Sequence, residues 1–215
     1  MQYLSWQDKG TVELIVEKLA QNGVILSTTD TVIGLLASVT AEGFMALDTL
    51  KKRERKPYII LVGSIEQAQE FIEPLFFTKI KSFLLAIWPA PVTIIMPAYP
   101  SLNWYTQAHN GSVALRMPDH QGLQMVLAQG NGLFSTSANI SGEPVPTSLR
   151  EVSATIQQEV DLVVTDDGWQ ESAVAIPSTI IDIRSGDLHL VRQGAIALED
   201  IQRVYMQQVT KDSDF

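Results

Sequence analysis

The chain has 215 residues, a formal net charge of −9 and 46% hydrophobic residues. This length and this hydrophobic fraction predict one globular domain with its own core. The sequence contains no cysteine, which excludes disulfides, thiolate metal sites and a cysteine nucleophile. The acidic balance argues against broad, non-specific binding of nucleic acid over the whole surface.

The pattern of apolar residues indicates where in the cell the protein is located. No apolar run approaches the length that spans a bilayer, so no membrane segment is predicted. Residues 1–9 lack the basic-then-apolar pattern of a signal peptide. Together with the absence of cysteine, these features predict a cytoplasmic protein.

Helical and strand periodicities alternate along most of the chain. In chain order, the predicted elements are a helix between Asp8 and Gly23, strands at 24–26 and 34–39, a helix at 41–52, a strand at 58–62, helices at 64–71 and 78–88, strands at 92–96 and 113–117, a helix at 120–129, a short strand at 133–134, a helix at 148–158, a strand at 162–164 and a hairpin of 180–184 with 188–192. Asp8, Thr40 and Ser64 are the predicted N-caps. The alternation predicts an α/β fold, a single domain with a twisted mixed parallel and antiparallel sheet flanked by helices. The closing hairpin would supply the antiparallel part, and residues 98–111 are predicted to form an exposed loop.

A basic cluster follows the predicted helix at 41–52. Residues 51–57 (KKRERKP) hold five of the chain's 15 Lys and Arg residues within six positions. In an acidic protein, such a cluster raises the local positive potential where an anion could bind. The alternative interpretation is a solvated helix end, because cations near a helix C-terminus complement the helix dipole.

Three hydroxyl-rich segments follow short apolar strands, at 28–31 (TTDT), 135–139 (STSAN) and 177–179 (PST). Binding groups of α/β proteins gather on loops beyond strand ends. Hydroxyls and amides can hold phosphate or carboxylate oxygens, although each segment alone is also typical of a turn or helix cap. Together with the basic cluster, Arg116 and Arg192, they predict an α/β protein that binds a phosphorylated or carboxylate ligand.

Several familiar catalytic signatures are absent from the sequence. There is no P-loop, no dinucleotide-binding glycine fingerprint and no G-x-S-x-G nucleophile elbow. His109, His120 and His189 are scattered among polar neighbours and are predicted to be surface residues. No pair of acidic residues has convincing metal-ligand spacing, so no protein-bound metal is predicted.

Seven short motifs stand in the order and spacing of the YrdC-like family, whose members include the threonylcarbamoyl-AMP synthases of the TsaC type. The matching segments are TTDTVIGL at 28–35, KKR at 51–53 with KP at 56–57, WPAPVT at 88–93, VALRMP at 113–118, SANISG at 137–142, PSTIID at 177–182 and RQGAI at 192–196. The resemblance covers about residues 10–198 of a chain interpreted as one YrdC-like domain over 1–215. It resembles the short family members, which lack an extra C-terminal domain.

The resemblance implies a nucleotidyltransferase that joins L-threonine, bicarbonate and ATP into threonylcarbamoyl-AMP and releases pyrophosphate. Downstream threonylcarbamoyl-transfer proteins would use this product to form N6-threonylcarbamoyladenosine (t6A) at position 37 of certain tRNAs. The implied fold has a concave, positively charged face that could also contact tRNA. Mg²⁺ would accompany the triphosphate, and no membrane partner is implied.

The resemblance also implies roles at the matching positions. Lys51 and Arg53 would be catalytic, since cations can offset the charge of the departing pyrophosphate. ATP would be bound by Lys51, Arg53, Lys56, Ser112, Ser137, Asn139, Val145 and Arg192. Threonine would be bound by Thr29, Thr31, Arg116, Ser135 and Ser178. Arg116 would grip the threonine carboxylate, for which a guanidinium is well suited. Val145 falls in the segment 141–148, which could close over the site.

The sequence departs from the family pattern at several positions. Thr28 stands where the family has Pro, and Ile33 where it has Tyr. One residue fewer separates Arg53 from Lys56, so that Arg55 could take the position of the family's lysine. These departures leave open a related carbamoyl-adenylate enzyme with a different substrate. The basic cluster leaves open a further alternative, a non-enzymatic RNA-binding module of the same fold.

Overall fold

The computed structural model describes residues 2–52, 57–100, 105, 110–167 and 175–212. Ten strands in this part of the chain form one mixed sheet. The strands are β1 (Gln2–Ser5), β2 (Ile25–Ser27), β3 (Gly34–Ser38), β4 (Ile59–Leu61), β5 (Val92–Pro97), β6 (Ser112–Arg116), β7 (Leu133–Ser137), β8 (Leu162–Thr165), β9 (Thr179–Asp182) and β10 (His189–Arg192). Their order across the sheet is β1-β8-β2-β3-β7-β4-β6-β5-β9-β10.

Helices flank this sheet, which confirms the predicted α/β class. The described helices are α1 (Thr11–Ala20), α2 (Ala41–Lys51), α3 (Ile65–Gln69), α4 (Pro74–Ile87), α5 (Gln121–Leu127), α6 (Ala154–Glu159) and α7 (Leu198–Asp212), with a 3-10 turn at Leu149–Glu151. As predicted, the side chains of Thr40 and Ser64 cap α2 and α3 by accepting backbone N–H bonds at 3.0 and 3.1 Å. The predicted cap at Asp8 is wrong: α1 begins after Gly10, and the Asp8 carboxylate accepts the N–H of Ser5 instead.

The antiparallel pairing extends well beyond the closing hairpin. Among the neighbouring strand pairs, β2–β3, β3–β7, β4–β7, β5–β6 and β9–β10 are antiparallel, and β1–β8, β2–β8, β4–β6 and β5–β9 are parallel. The prediction that the hairpin supplies the antiparallel part is therefore wrong, because β7 runs opposite to both of its neighbours in the middle of the sheet. The sequence patterns also missed the edge strand β1 and the helix α7.

The core lies on both faces of the sheet, as the period-2 alternation of strand side chains requires. Ile25 of β2 packs on one face beneath α1 and α5, whereas the next residue, Leu26, packs on the other face with α2 and α4. Leu36 and Leu35 of β3 divide in the same way. Strands buried on both faces read as continuous apolar runs, which is why the short strands could be predicted.

Part of the predicted loop at 98–111 lies in the core. Tyr105 is buried, its ring packs against Phe44 and Phe134, and its hydroxyl donates to the backbone carbonyl of Tyr58 at 2.6 Å. The prediction of an exposed loop is therefore wrong at Tyr105, while residues 101–104 and 106–109 lie outside the described part. No helix in the described ranges is both long enough and apolar enough to cross a membrane.

Candidate active site

A polar pocket of about 330 Å³ lies over β3, β4, β7 and β9. The described residues that line it are Thr29, Thr31, Val32, Gly34, Pro57, Ile59, Arg116, Ser135, Thr136, Ser137, Val145, Pro177, Ser178, Ile180 and Arg192. All five residues predicted for threonine are in this set. Three of those predicted for ATP, Ser137, Val145 and Arg192, are there as well. Segments far apart in the sequence thus meet at one cavity.

Arg116 forms a buried ion pair at the end of β6. Its side chain is 3% exposed, and Nη1 donates to both carboxylate oxygens of Asp30 at 2.7 Å each. The Asp30 carboxylate is itself fixed, because its Oδ2 also accepts the backbone N–H of Asp119 at 3.0 Å. Within the described residues, the buried Nε of Arg116 has no hydrogen-bond partner. A cation fixed in this way can offer its remaining N–H groups to an anion.

A second arginine lines the same pocket. Arg192 of β10 donates through Nη2 to the backbone carbonyl of Ser178 at 2.9 Å and to its Oγ at 3.3 Å. The Ser178 hydroxyl is also 2.8 Å from the hydroxyl of Thr93. Gly194 lets the chain pack here, because an added Cβ would collide with the backbone of Pro177 and Ser178.

The charges of the two arginines influence each other. Desolvation lowers the pKa of the Arg192 guanidinium, and the nearby positive charge of Arg116 lowers that pKa further. Two cations that repel each other across a partly desolvated pocket would both be stabilised by an anionic ligand between them. The pocket therefore suits a carboxylate or phosphate better than a neutral or cationic ligand.

The loop after β2 presents hydroxyl groups to the pocket. Thr29 Oγ1 donates to the carbonyl of Val32 at 2.7 Å and accepts the backbone N–H of Thr31 at 3.1 Å. The two threonine hydroxyl oxygens are 3.1 Å apart. This local bonding is typical of a hydroxyl-stabilised turn, and it fixes both side chains at the pocket wall.

Lys51 lies beneath the turn that follows β7. It ends α2, is 2% exposed, and its Nζ donates to the carbonyls of Ser137 and Asn139 at 2.5 and 2.7 Å. Ser137 Oγ donates to Asn139 Oδ1 at 2.5 Å, which closes the turn. Lys51 and Asn139 are not among the described lining residues, so in this geometry the lysine supports the turn and places a positive charge behind it. Direct contact of Lys51 with a triphosphate stays a prediction.

Other predicted residues are placed elsewhere or cannot be placed. Arg53 and Lys56 lie outside the described residues, as does Arg55, the alternative to Lys56. Ser112 begins β6, four residues before Arg116, and is not among the described residues that line the pocket. The predicted role of each in ATP binding is neither supported nor contradicted by this geometry.

The departures from the family pattern have structural explanations. Thr28 is buried, and its Oγ1 donates to Asp166 Oδ2 at 2.8 Å, a contact that proline cannot make. Ile33 is 1% exposed and packs in the core rather than at the pocket. Asp166 also lies 3.1 Å from Nε2 of His120, whose Nδ1 accepts the N–H of Leu123 and caps α5. The prediction that His120 is a surface residue is therefore wrong, since its side chain is only 10% exposed.

Sequence reasoning missed three residues that shape the pocket. Asp30 stands between the two predicted threonines and pairs with Arg116, Thr136 lines the wall, and Thr93 supports Ser178. Asp30 and Thr93 belong to the TTDTVIGL and WPAPVT motifs, so the family motifs did mark their positions. No local sequence pattern, however, indicated that Asp30 pairs with Arg116 or that Thr93 contacts Ser178. In the ranges that the structure describes, no group of three or more His, Asp or Glu side chains could hold a metal ion.

Comparisons with known proteins establish the family. The family model Sua5_yciO_yrdC, described as telomere recombination, matches residues 17–194. The threonylcarbamoyl-AMP synthase of Vibrio cholerae serotype O1 is 32% identical over 183 residues, which cover 83% of this chain and 95% of that relative. This chain therefore belongs to the Sua5/YciO/YrdC family, as its motifs indicated.

Two further relatives differ in length from this chain. The threonylcarbamoyl-AMP synthase of Bacillus subtilis is 30% identical over 190 residues, 86% of this chain and 54% of the relative, so the chain spans about half of that protein. The crystal structure of Pyrococcus abyssi Sua5 complexed with L-threonine superposes with a TM-score of 0.82 and 24% identity. It matches 94% of this chain and 60% of that one, which confirms the fold.

Proposed function

We propose that this protein is a threonylcarbamoyl-AMP synthase, a nucleotidyltransferase that converts L-threonine, bicarbonate and ATP into threonylcarbamoyl-AMP and pyrophosphate. The observation that carries the proposal is the pocket that Arg116 and Arg192 line together with several threonine and serine residues. The activity named for the relatives in Vibrio cholerae and Bacillus subtilis supports it. The L-threonine complex of the Pyrococcus abyssi protein supports the choice of amino acid.

The chemistry of this reaction suits a pocket without a strong base. Threonine that has reacted with bicarbonate is a carbamate, which is already an anionic nucleophile. Its oxygen would attack the α-phosphorus of ATP, and the bond to the departing pyrophosphate would break. The protein must bring two anions together and offset their repulsion, a task of positioning and electrostatics.

The proposed roles divide between the two substrates. Arg116 would hold the threonine carboxylate, and the hydroxyls of Thr29, Thr31, Ser135 and Ser178 would line the amino-acid end. The proposed ATP residues are Lys51, Arg53, Lys56, Ser112, Ser137, Asn139, Val145 and Arg192. Lys51 would act from beneath the turn at 137–139, where its charge attracts phosphate oxygens toward the backbone. Mg²⁺ would enter as part of the nucleotide substrate.

The proposal extends to the fate of the product. Threonylcarbamoyl-AMP would pass to tRNA threonylcarbamoyl-transfer proteins, which form t6A at position 37. The chain would act as one YrdC-like domain over residues 1–215 and could contact tRNA through its basic cluster. Its substrates would be available in the cytoplasm.

The decisive experiment measures pyrophosphate released from ATP by the purified protein. We expect release only when L-threonine and bicarbonate are both present, and slower release when L-serine replaces threonine. Release that ignores both co-substrates would contradict the proposal. If another amine supported release in place of threonine, the related carbamoyl-adenylate enzyme would be the better assignment. Salt-sensitive tRNA binding without release would favour the RNA-binding module.

A further inference from the structure

We propose that Asp30 is a positioning residue that orients Arg116 for the amino-acid substrate. This inference rests on the proposed function and adds a residue to it. Asp30 does not line the pocket within the described residues, so it would act through the arginine rather than on the substrate. Its effect would be to decide which edge of the guanidinium the substrate carboxylate meets.

The hydrogen-bond geometry identifies that edge. A guanidinium has five N–H groups on three nitrogens, and a carboxylate commonly binds two of them side by side. Both oxygens of Asp30 bind Nη1 alone, at 2.7 Å each. The Nε–H is buried and has no partner in the described part of the protein. Asp30 therefore occupies Nη1 and leaves the edge that carries Nε without a carboxylate.

A buried donor without a partner is informative by itself. Leaving a polar group desolvated and unpaired costs free energy, and native proteins rarely keep such groups without a functional reason. This buried Nε belongs to the side chain of Arg116, which lines the pocket and is only 3% exposed. A ligand carboxylate would satisfy this donor.

Asp30 is well placed to fix the arginine relative to the rest of the pocket. It is 8% exposed, and the backbone N–H of Asp119 holds its Oδ2 at 3.0 Å. Its neighbours in the chain, Thr29 and Thr31, both line the pocket. One loop therefore carries two pocket hydroxyls and the counter-ion of the arginine, so the carboxylate site and the hydroxyls keep a constant spacing.

Electrostatics give Asp30 a second effect on the same arginine. Burial lowers the pKa of Arg192, and the positive charge of Arg116 lowers that pKa further, because the two guanidinium groups repel each other. The negative charge of Asp30 offsets part of this repulsion, because it pairs with the buried guanidinium of Arg116 at 2.7 Å. Asparagine at this position would keep the size of the side chain but lose the charge.

The test compares Asp30→Asn with a matched control, Asp182→Asn. Asp182 also pairs with an arginine through several hydrogen bonds, to Arg184, but it does not line the pocket. Calorimetric titration with L-threonine and steady-state kinetics would be measured on each variant. We expect Asp30→Asn to raise the threonine Kd and KM about tenfold, the scale of a misplaced binding group, with little change in the KM for ATP. Asp182→Asn should leave all three constants unchanged.

A double-mutant cycle separates positioning from a general loss of stability. If Asp30 acts through Arg116, then Asp30→Asn should have no further effect on threonine binding in an Arg116→Lys background. Additive losses in the double mutant would overturn the proposal. Equal rises in the KM values for threonine and ATP would also overturn it, because they would indicate a general disturbance of the pocket.

An NMR measurement keeps the proposal testable if Asp30→Asn does not fold. The Nε–H resonance of Arg116 in the wild-type protein should shift when L-threonine is added, and an unchanged resonance would overturn the proposed edge. If the wild type neither binds threonine nor releases pyrophosphate, the proposed function fails first. The positioning role is then judged from solvent exchange of the same Nε–H, which should accelerate in Asp30→Asn, and equal exchange in both proteins would overturn it.

Discussion

The inner wall of the pocket and its rim both carry cations, but the protein holds them differently. We use inner wall for Arg116, which lines the pocket, together with Asp30 and Lys51, which support the lining from behind it, and rim for Arg192 together with Ser178, the buried serine that it bonds. On the inner wall each cation is almost fully buried and bonded, to a carboxylate for Arg116 and to two carbonyls for Lys51. At the rim, Arg192 is more exposed than either inner-wall cation, with its guanidinium partly desolvated, and it bonds to the carbonyl and hydroxyl of Ser178.

This difference indicates that the inner wall and the rim have different roles. A buried charge must keep its partner to avoid a large desolvation cost, so the inner wall keeps its geometry whether or not a ligand is present. The rim arginine is held by uncharged oxygens, so it can adjust to an incoming anion at little cost to the fold. Mutations should therefore separate the two regions by their effect on stability, even where both lower activity.

The largest expected effect comes from removing one partner of the buried ion pair. Arg116→Ala should lower the free energy of unfolding by about 3–5 kcal/mol, because it leaves the Asp30 carboxylate buried and unpaired. Arg192→Ala should change that free energy by less than about 1 kcal/mol, because the side chain is exposed. Urea denaturation of both variants measures the contrast, and equal losses would show that the inner wall and the rim do not differ.

A smaller loss is expected at the second inner-wall cation. Lys51→Met should lower the free energy of unfolding by about 2 kcal/mol, the scale of losing hydrogen bonds from a charged donor. It should also lower pyrophosphate release, since the turn at 137–139 loses its support. Lys52→Met is the matched control. Lys52 is the exposed neighbour of Lys51, and the same substitution there leaves its left-handed backbone conformation unchanged. A Lys51 variant as stable as the Lys52 variant would contradict the supporting role.

At the rim, removing the Ser178 hydroxyl should lower the free energy of unfolding by about the contribution of one hydrogen bond. Ser178→Ala should cost about 1 kcal/mol, because the buried hydroxyl of Thr93 loses its partner. Adding Thr93→Val to that variant should recover part of the loss, since both polar groups are then removed together. Thermal unfolding of the two single variants and the double variant measures this coupling, and strictly additive losses would argue against the bond.

The smallest effect is expected outside both regions, at the ion pair of Asp182 and Arg184. The hydrogen bond from Arg184 lowers the pKa of the Asp182 carboxyl below its ordinary value of 3.8. The stabilisation is therefore present above pH 3.8 and is lost as the pH falls through the lowered, folded-state pKa. Asp182→Asn should reduce stability at neutral pH by less than about 1 kcal/mol and weaken its dependence on acid pH. The free energy of unfolding would be measured against acid pH for the wild type and for Asp182→Asn. The two proteins would show the same slope if the pair contributes nothing.

The sequence by itself determined the class of fold, most helices and strands, and the caps at Thr40 and Ser64. These features depend on local periods of 3.6 or 2 residues and on side chains that bond to their own turn, so neighbouring residues suffice to predict them. The ordered motifs likewise identified the family and most of the residues that line the pocket. The cap at Asp8 failed because a nearby backbone group, the N–H of Ser5, competed for the same carboxylate.

Only the tertiary structure decided how the charges are partnered. Asp30 and Arg116 are 86 residues apart in the chain, as are Lys51 and Ser137, and both pairs form because the sheet order brings distant segments together. The polar residues 135–137 looked like a turn but are part of β7, because their backbone pairs with β3 and β4. Local patterns contain no information about such long-range pairing, so the structure was needed to separate the fixed inner wall from the adaptable rim.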